Sequence, residues 1–125
     1  MESDLRPFSF EKLLVWQKSR VLAGEIYKLT LKFPKEELFG MTSQIRRCSV
    51  SIPSNIAEGS SRKTNKDKAR FSEIAFGSAL ELVNQLIIAL DLNYISENDY
   101  TEIRTKIQEV TFLINALHKS QQEQK

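Results

Sequence analysis

Ile103, Ile107, Val110, Ile114 and Leu117 recur at steps of 4, 3, 4 and 3. A helix brings such positions onto one narrow line, and that line must be covered by another helix. The rest of the chain supplies the covering. Segments with helical periodicity are expected over about 10–31, 40–58, 64–92 and 96–119, and the breakers fall between them. Phe33-Pro34 stops the first segment, because a residue before proline avoids the helical region. Ser9 is its expected N-cap, with Glu11 in the first turn. Gly59 is the expected left-handed exit of the second, and Asn93 that of the third. Thr64-Asn65-Lys66-Asp67 and Ser96-Glu97-Asn98-Asp99 read as capping boxes that open the third and fourth. Gln121 to Lys125 form a polar tail expected to fray.

The second and third segments carry more apolar surface than one seam needs. In the third, Phe71, Ala75, Ser78, Leu82, Gln85 or Leu86, and Ala89 form one row. Phe76, Leu80, Val83, Ile87, Leu90 and Tyr94 form another, about 100° away. In the second, Met41, Ile45, Cys48, Ile52 and Ile56 make one row, and Phe39, Val50 and Ala57 the other. A broad core stripe is one account. The sharper one is that the first rows face a core and the second rows face a neighbouring subunit. Val83, Ile87, Phe76 and Leu80 are then interface candidates. The expected fold is an all-α, antiparallel up-down-up-down four-helix bundle forming a single domain over 1–125, ordered over about 9–120. With 125 residues and 14.4 kDa, a folded surface of roughly 6,800 Å² is expected for a monomer.

Chemistry is sparse. One Cys excludes an internal disulfide framework and any multi-Cys zinc site. His118 is the only histidine, too few for the paired Glu-x-x-His motifs of a di-iron bundle. It complements a helix C-terminus more readily than it acts as a base. Cys48 lies on an apolar row and reads as a small core residue. No Walker loop, dinucleotide fingerprint or nucleophile elbow is present. No enzymatic activity, metal or cofactor is expected. The start of the chain has no apolar run and no stretch approaches 18 apolar residues, so neither a leader nor a membrane span is expected and a cytoplasmic location follows.

Charge is uneven. The whole chain carries +2. Between Gln44 and Arg70, seven bases stand against two acids, Glu58 and Asp67. Arg62, Lys63, Lys66, Lys68 and Arg70 cluster around the junction of the second and third helices, as a polyanion site would. A solvated loop is the competing account. Arg46 and Arg47 lie mid-helix between apolar rows and read as intersubunit partners for a carboxylate such as Glu58 or Glu81. Pro53 either kinks the second helix or starts a second short one.

The run from Phe39 to Gly59 contains Gln44-Ile45-Arg46-Arg47 and then Ser51-Ile52-Pro53-Ser54-Asn55-Ile56-Ala57-Glu58-Gly59. With Val15-Trp16-Gln17, Ile26-Tyr27, Phe33-Pro34, Gly77-Ser78, Glu81-Leu82, Gln85-Leu86 and Tyr94, it resembles the bacterial four-helix-bundle family of proteins encoded in 23S ribosomal RNA intervening sequences. The likeness covers roughly 10–95. Met41 stands where leucine is usual, and Cys48-Ser49 where alanine-like residues are usual. The resemblance implies a ring-shaped homopentamer, as in the similar accessory proteins of diversity-generating retroelements. Those are basic, bind nucleic acid and contact a reverse transcriptase. It therefore implies RNA or DNA, and a reverse transcriptase or other ribonucleoprotein enzyme, as partners. Two function classes stay open: a non-catalytic nucleic-acid-binding accessory protein, or a structural or protein-interaction ring without nucleic-acid affinity.

Overall fold

The computed structural model describes residues 5–123. Four helices account for most of them: α1 (Leu14–Thr30), α2 (Met41–Ser60), α3 (Asn65–Asp91) and α4 (Glu97–Glu123). Cross-links at staggered positions show that neighbours run antiparallel. Glu25 pairs with Lys106, and Lys32 with Asp99, between α1 and α4. Ser72 meets Gln121 and Glu73 meets His118 between α3 and α4. Cys48 and Ser51 meet Ser78 between α2 and α3. The result is the expected up-down-up-down bundle, with α1 and α3 on opposite corners.

The core is built from the first rows. Ile45, Cys48, Ile52 and Ile56 of α2 are buried, as are Ile103, Ile107, Val110 and Ile114 of α4. On α3 the buried line is Ala69, Ser72, Ala75, Ala79, Leu82, Leu86 and Ala89, while Phe71 and Ser78 of the expected row are only half-buried. Its small residues let α2 approach closely.

The second row of α3 divides. Phe76, Val83, Leu90 and Tyr94 are half-buried against the core, while Leu80 and Ile87 are 53% and 39% exposed. A helix at the corner of a square bundle touches two neighbours, so its buried arc is wider than a one-seam pattern allows. α3 is also long and apolar enough, by length and mean hydropathy, to cross a membrane. A core helix of a bundle meets that description too, and Glu73, Glu81 and Asp91 interrupt its outer side.

Several ends differ from expectation. The first segment is two pieces: a 3-10 turn (Ser9–Lys12), then α1, with Leu13 extended between them at ψ 125°. Ser9 is therefore not the N-cap. The Glu11 carboxylate accepts from the Phe8 N–H at 2.9 Å, and the break turns the Phe10 ring edge-on to Trp16 at 5.0 Å. Gly59 is not left-handed: α2 runs one residue past it, and no glycine among the described residues has positive φ. Instead, a Cβ there would sit 2.7 Å from the Cβ of Phe71, so Gly59 permits the α2–α3 approach. Pro53 lies inside one continuous α2, which excludes the split. The tail does not fray at Gln121. α4 continues through it, and its side chain, 8% exposed, accepts from the Ser72 hydroxyl at 2.7 Å. Gln124 and Lys125 lie outside the described residues. Thr64, Ser96 and Asn93 behave as expected. The first two accept from Asp67 and Asp99 N–H groups at 3.1 Å, and Asn93 has φ 62°.

Candidate nucleic-acid interface

The antiparallel order puts the end of α2, the start of α3 and the end of α4 at one end of the bundle. The five expected basic residues all map there, but not equivalently. Lys63 projects from the α2–α3 turn and is exposed. Lys66 and Arg70, four residues apart on α3, are exposed and line one hollow of about 610 Å³ with Asn65, Glu73 and Gln121. The N-terminus of α3 adds the positive end of its dipole, capped by Thr64 and faced by the first-turn Asp67, which also lines the hollow. Lys68 is half-buried on the inner side. Arg62 is engaged: its Nη2 donates to the Glu58 carboxylate at 2.6 Å, and its guanidinium covers the Phe71 ring at 4.7 Å. The usable set is therefore Lys63, Lys66 and Arg70, with Arg62 partly neutralised.

The opposite end mixes both signs: Glu36, Glu37, Asp91, Glu97 and Asp99 share it with Lys28, Lys32 and Lys35, and Lys32 pairs with Asp99. There, Glu37 links two connections: one carboxylate oxygen accepts from the Met41 N–H at 3.1 Å, the other from the Tyr94 hydroxyl at 2.8 Å. These bonds favour its charged form, the Met41 N–H most, and hold its carboxyl below the ordinary 4.5. They also push the Tyr94 phenol up, chiefly through the bond to Glu37.

The residues expected at a subunit interface also have distinct settings. Arg46 is held within its own chain. Its Nε donates to the Thr30 hydroxyl at 2.8 Å, and its guanidinium lies over the Tyr27 ring at 4.7 Å. Arg47 has only the Ser43 hydroxyl, at 3.1 Å, and is exposed. Glu58 holds Arg62, and Glu81 accepts from the Cys48 thiol at 3.6 Å. Phe39, expected on the second row of α2, precedes that helix in the turn before it and is 93% exposed, and Val50 is 40% exposed. They border a groove of about 670 Å³ between α1 and α2, whose lining includes Tyr27, Leu38, Arg46 and Arg47. Val50 and Ser54 also border a second hollow of about 350 Å³ over Phe10, Trp16 and Pro53. The two hollows share Val50 and Ser54. The stacking of Arg46 on Tyr27 was not legible from spacing, because the two meet only after α1 and α2 pack.

Nucleophilic chemistry finds no support in Cys48. Burial first, then the Glu81 carboxylate, pushes its thiol up to about 12. It stays protonated and donates to the Ser78 carbonyl at 3.0 Å. Beside it, Asn55 donates to the Ser51 carbonyl and hydroxyl at 2.8 and 3.0 Å, and Ser51 lies 2.9 Å from the Ser78 hydroxyl. This polar chain joins the Ser-Ile-Pro-Ser-Asn run to α3. Among the described residues, no three His, Cys, Asp or Glu side chains gather as a metal site.

No curated protein matches the chain. A crystal structure from Bacteroides thetaiotaomicron, described as a protein of unknown function from the S23 ribosomal protein family, is similar in fold. It has a TM-score of 0.76 and 28% identity, over 85% of this chain and 99% of that one. The sequence profile of the family described as 23S rRNA-intervening sequence protein matches residues 11–116, which span all of α1, α2 and α3 and most of α4. The chain belongs to the 23S rRNA-intervening sequence protein family.

Proposed function

We propose that this is a non-catalytic, homo-oligomeric bundle protein that binds RNA or DNA through phosphate contacts, as an accessory to a ribonucleoprotein enzyme such as a reverse transcriptase. The observation that carries the reading is the exposed basic cluster at one end of the bundle: Lys63, Lys66 and Arg70 stand exposed around the start of α3. No exposed aromatic interleaves with these three, so base stacking contributes little, and binding is tolerant of sequence. The oligomer is supported by surface. The chain exposes 8318 Å², against roughly 6,800 Å² expected for a monomer of this mass. A ring of five is the assembly that the family resemblance implies.

Fluorescence anisotropy with a labelled RNA hairpin and a DNA duplex tests the nucleic-acid reading. The wild type should bind both at ~50 mM salt and release them as salt rises. Lys63→Glu, Lys66→Glu and Arg70→Glu combined should abolish binding while leaving helicity unchanged, because exposed charges contribute little to folding. The pairing of Arg62 with Glu58 favours the alternative, a structural ring with no nucleic-acid affinity. Absence of binding at ~50 mM salt would make that alternative the better account.

A further inference from the structure

We infer that His118 regulates the phosphate site at the basic rim: its protonation masks the Glu73 carboxylate, turns the end hollow from neutral to cationic and makes nucleic-acid binding proton-dependent. The inference rests on the nucleic-acid reading above and names the group that tunes it.

The hollow at the start of α3 is balanced in charge. Lys66 and Arg70 line it with Asp67 and Glu73, two cations against two carboxylates, and Asn65, Gln121 and Gln122 are neutral. A phosphate entering it meets both signs. Glu73 is the carboxylate that the fold can cancel. Its Oε2 lies 2.7 Å from His118 Nε2, a contact that joins α3 to α4. The Glu73 side chain is 64% exposed and that of His118 only 22%. Since α4 runs on to Glu123, His118 does not serve the helix terminus as its position suggested. Neutral, the imidazole donates one hydrogen bond and leaves the charge of Glu73 in place. Protonated, it makes an ion pair, and the hollow gains one net positive charge.

The surroundings leave this pair to act alone. On α4 the neighbouring charges are Lys119, beside His118, and Glu123, beyond the next turn. On α3, Arg70 lies one turn before Glu73 and Asp67 a further turn back. α1 packs on the other side of α4, where Lys18 reaches Glu109, more than two turns from His118. Glu11 and Lys12 pack on α1 and α2. His118 is the only histidine, and histidine is the side chain that ordinarily titrates between about pH 5 and 8. The Cys48 thiol is far outside that window, pushed up to about 12. The charged imidazole favours the polyanion, so affinity rises as pH falls through the window, and binding in turn draws a proton onto His118. One charge ~7 Å from a phosphate in water changes affinity roughly threefold.

Fluorescence anisotropy of the full chain with the labelled DNA duplex, at ~50 mM salt and at ~pH 5.5 and ~pH 7.5, tests the inference. Wild type should bind roughly threefold more tightly at the lower pH, and by a larger factor where one duplex engages several rims. His118→Gln keeps a donor for Glu73 without the charge. It should bind equally at both pH values, at the weaker wild-type level. Glu73→Gln should bind more tightly than wild type at the higher pH, which the mere loss of an α3–α4 bond would not produce. The α-amino group also titrates in this window, but every variant retains it. Circular dichroism should be unchanged in both variants, and Glu73→Gln decides the matter if His118→Gln misfolds. Equal wild-type affinity at the two pH values would overturn the inference and leave the nucleic-acid reading intact. So would a pH dependence that survives His118→Gln, or a Glu73→Gln variant that binds no better than wild type. Absence of binding at both pH values would overturn both.

Discussion

A methyl group on Gly59 would press on Phe71 through its Cβ, a contact that backbone movement rather than a side-chain rotation must relieve. Gly59→Ala should therefore destabilise by about 1–3 kcal/mol, the usual cost of overpacking, despite the better helix propensity of alanine. Thermal unfolding should show a lower midpoint. Gly24→Ala is the control, because its Cβ would meet nothing within 4 Å, and it should raise the midpoint or leave it unchanged. Glu37 gives a pH-dependent counterpart. Its carboxyl titrates below 4.5 in the folded chain because it is bonded to Met41 and Tyr94. The folded state binds its proton less readily than the unfolded state does. The stabilisation is therefore complete above about 4.5 and is lost as pH falls through the lower folded value. Glu37→Gln should lower the midpoint at pH 7, and the gap to wild type should close as the solution is acidified toward pH 3. A gap that is constant with pH would mean that the carboxylate charge contributes nothing.

Which helix ends were legible depended on how far away their partners lie. Thr64 and Ser96 cap within three residues and Asn93 exits alone, so local spacing named them. Leu13 and Gln121 were misread because their roles come from elsewhere. Leu13 is extended where the chain swings Phe10 onto Trp16, and Gln121 is ordered by Ser72, 49 positions away. The rows of α2 and α3 were visible as pattern. Their division into core and surface was not, because it depends on which two neighbours each helix touches. Among the basic residues, position was readable, but the engagement of Arg62 by Glu58 and Phe71 and the inward setting of Lys68 were not. Ser72→Ala tests the end of α4. It leaves the Gln121 carbonyl without its donor, at a cost of about 1–3 kcal/mol if the side chain stays buried. Amide exchange should quicken in the last turns of α4 and remain slow around Ile107.

At the scale of the molecule, the proposed assembly would multiply the basic rim. One subunit offers three free rim cations, Lys63, Lys66 and Arg70, with Lys68 half-buried beside them. Neutralising that many phosphates on duplex DNA gives a slope of log affinity against log salt of roughly −3 to −4. In the ring that the family resemblance implies, every subunit would point the same way along the axis and the rims would collect on one face. One nucleic-acid strand can then engage several, and the second contact is made at high effective concentration. A Phe39→Asp variant that breaks assembly would keep every rim charge, since Phe39 precedes α2 at the opposite end of the bundle. It should bind the same duplex with a slope near the single-subunit value and markedly weaker affinity, while the assembled wild type gives a steeper slope. Titrations from ~50 to ~200 mM salt on both proteins decide it. Equal slopes would mean that each rim works alone and that assembly serves another purpose. A steeper wild-type slope that collapses on dissociation would make the ring itself the nucleic-acid-binding unit.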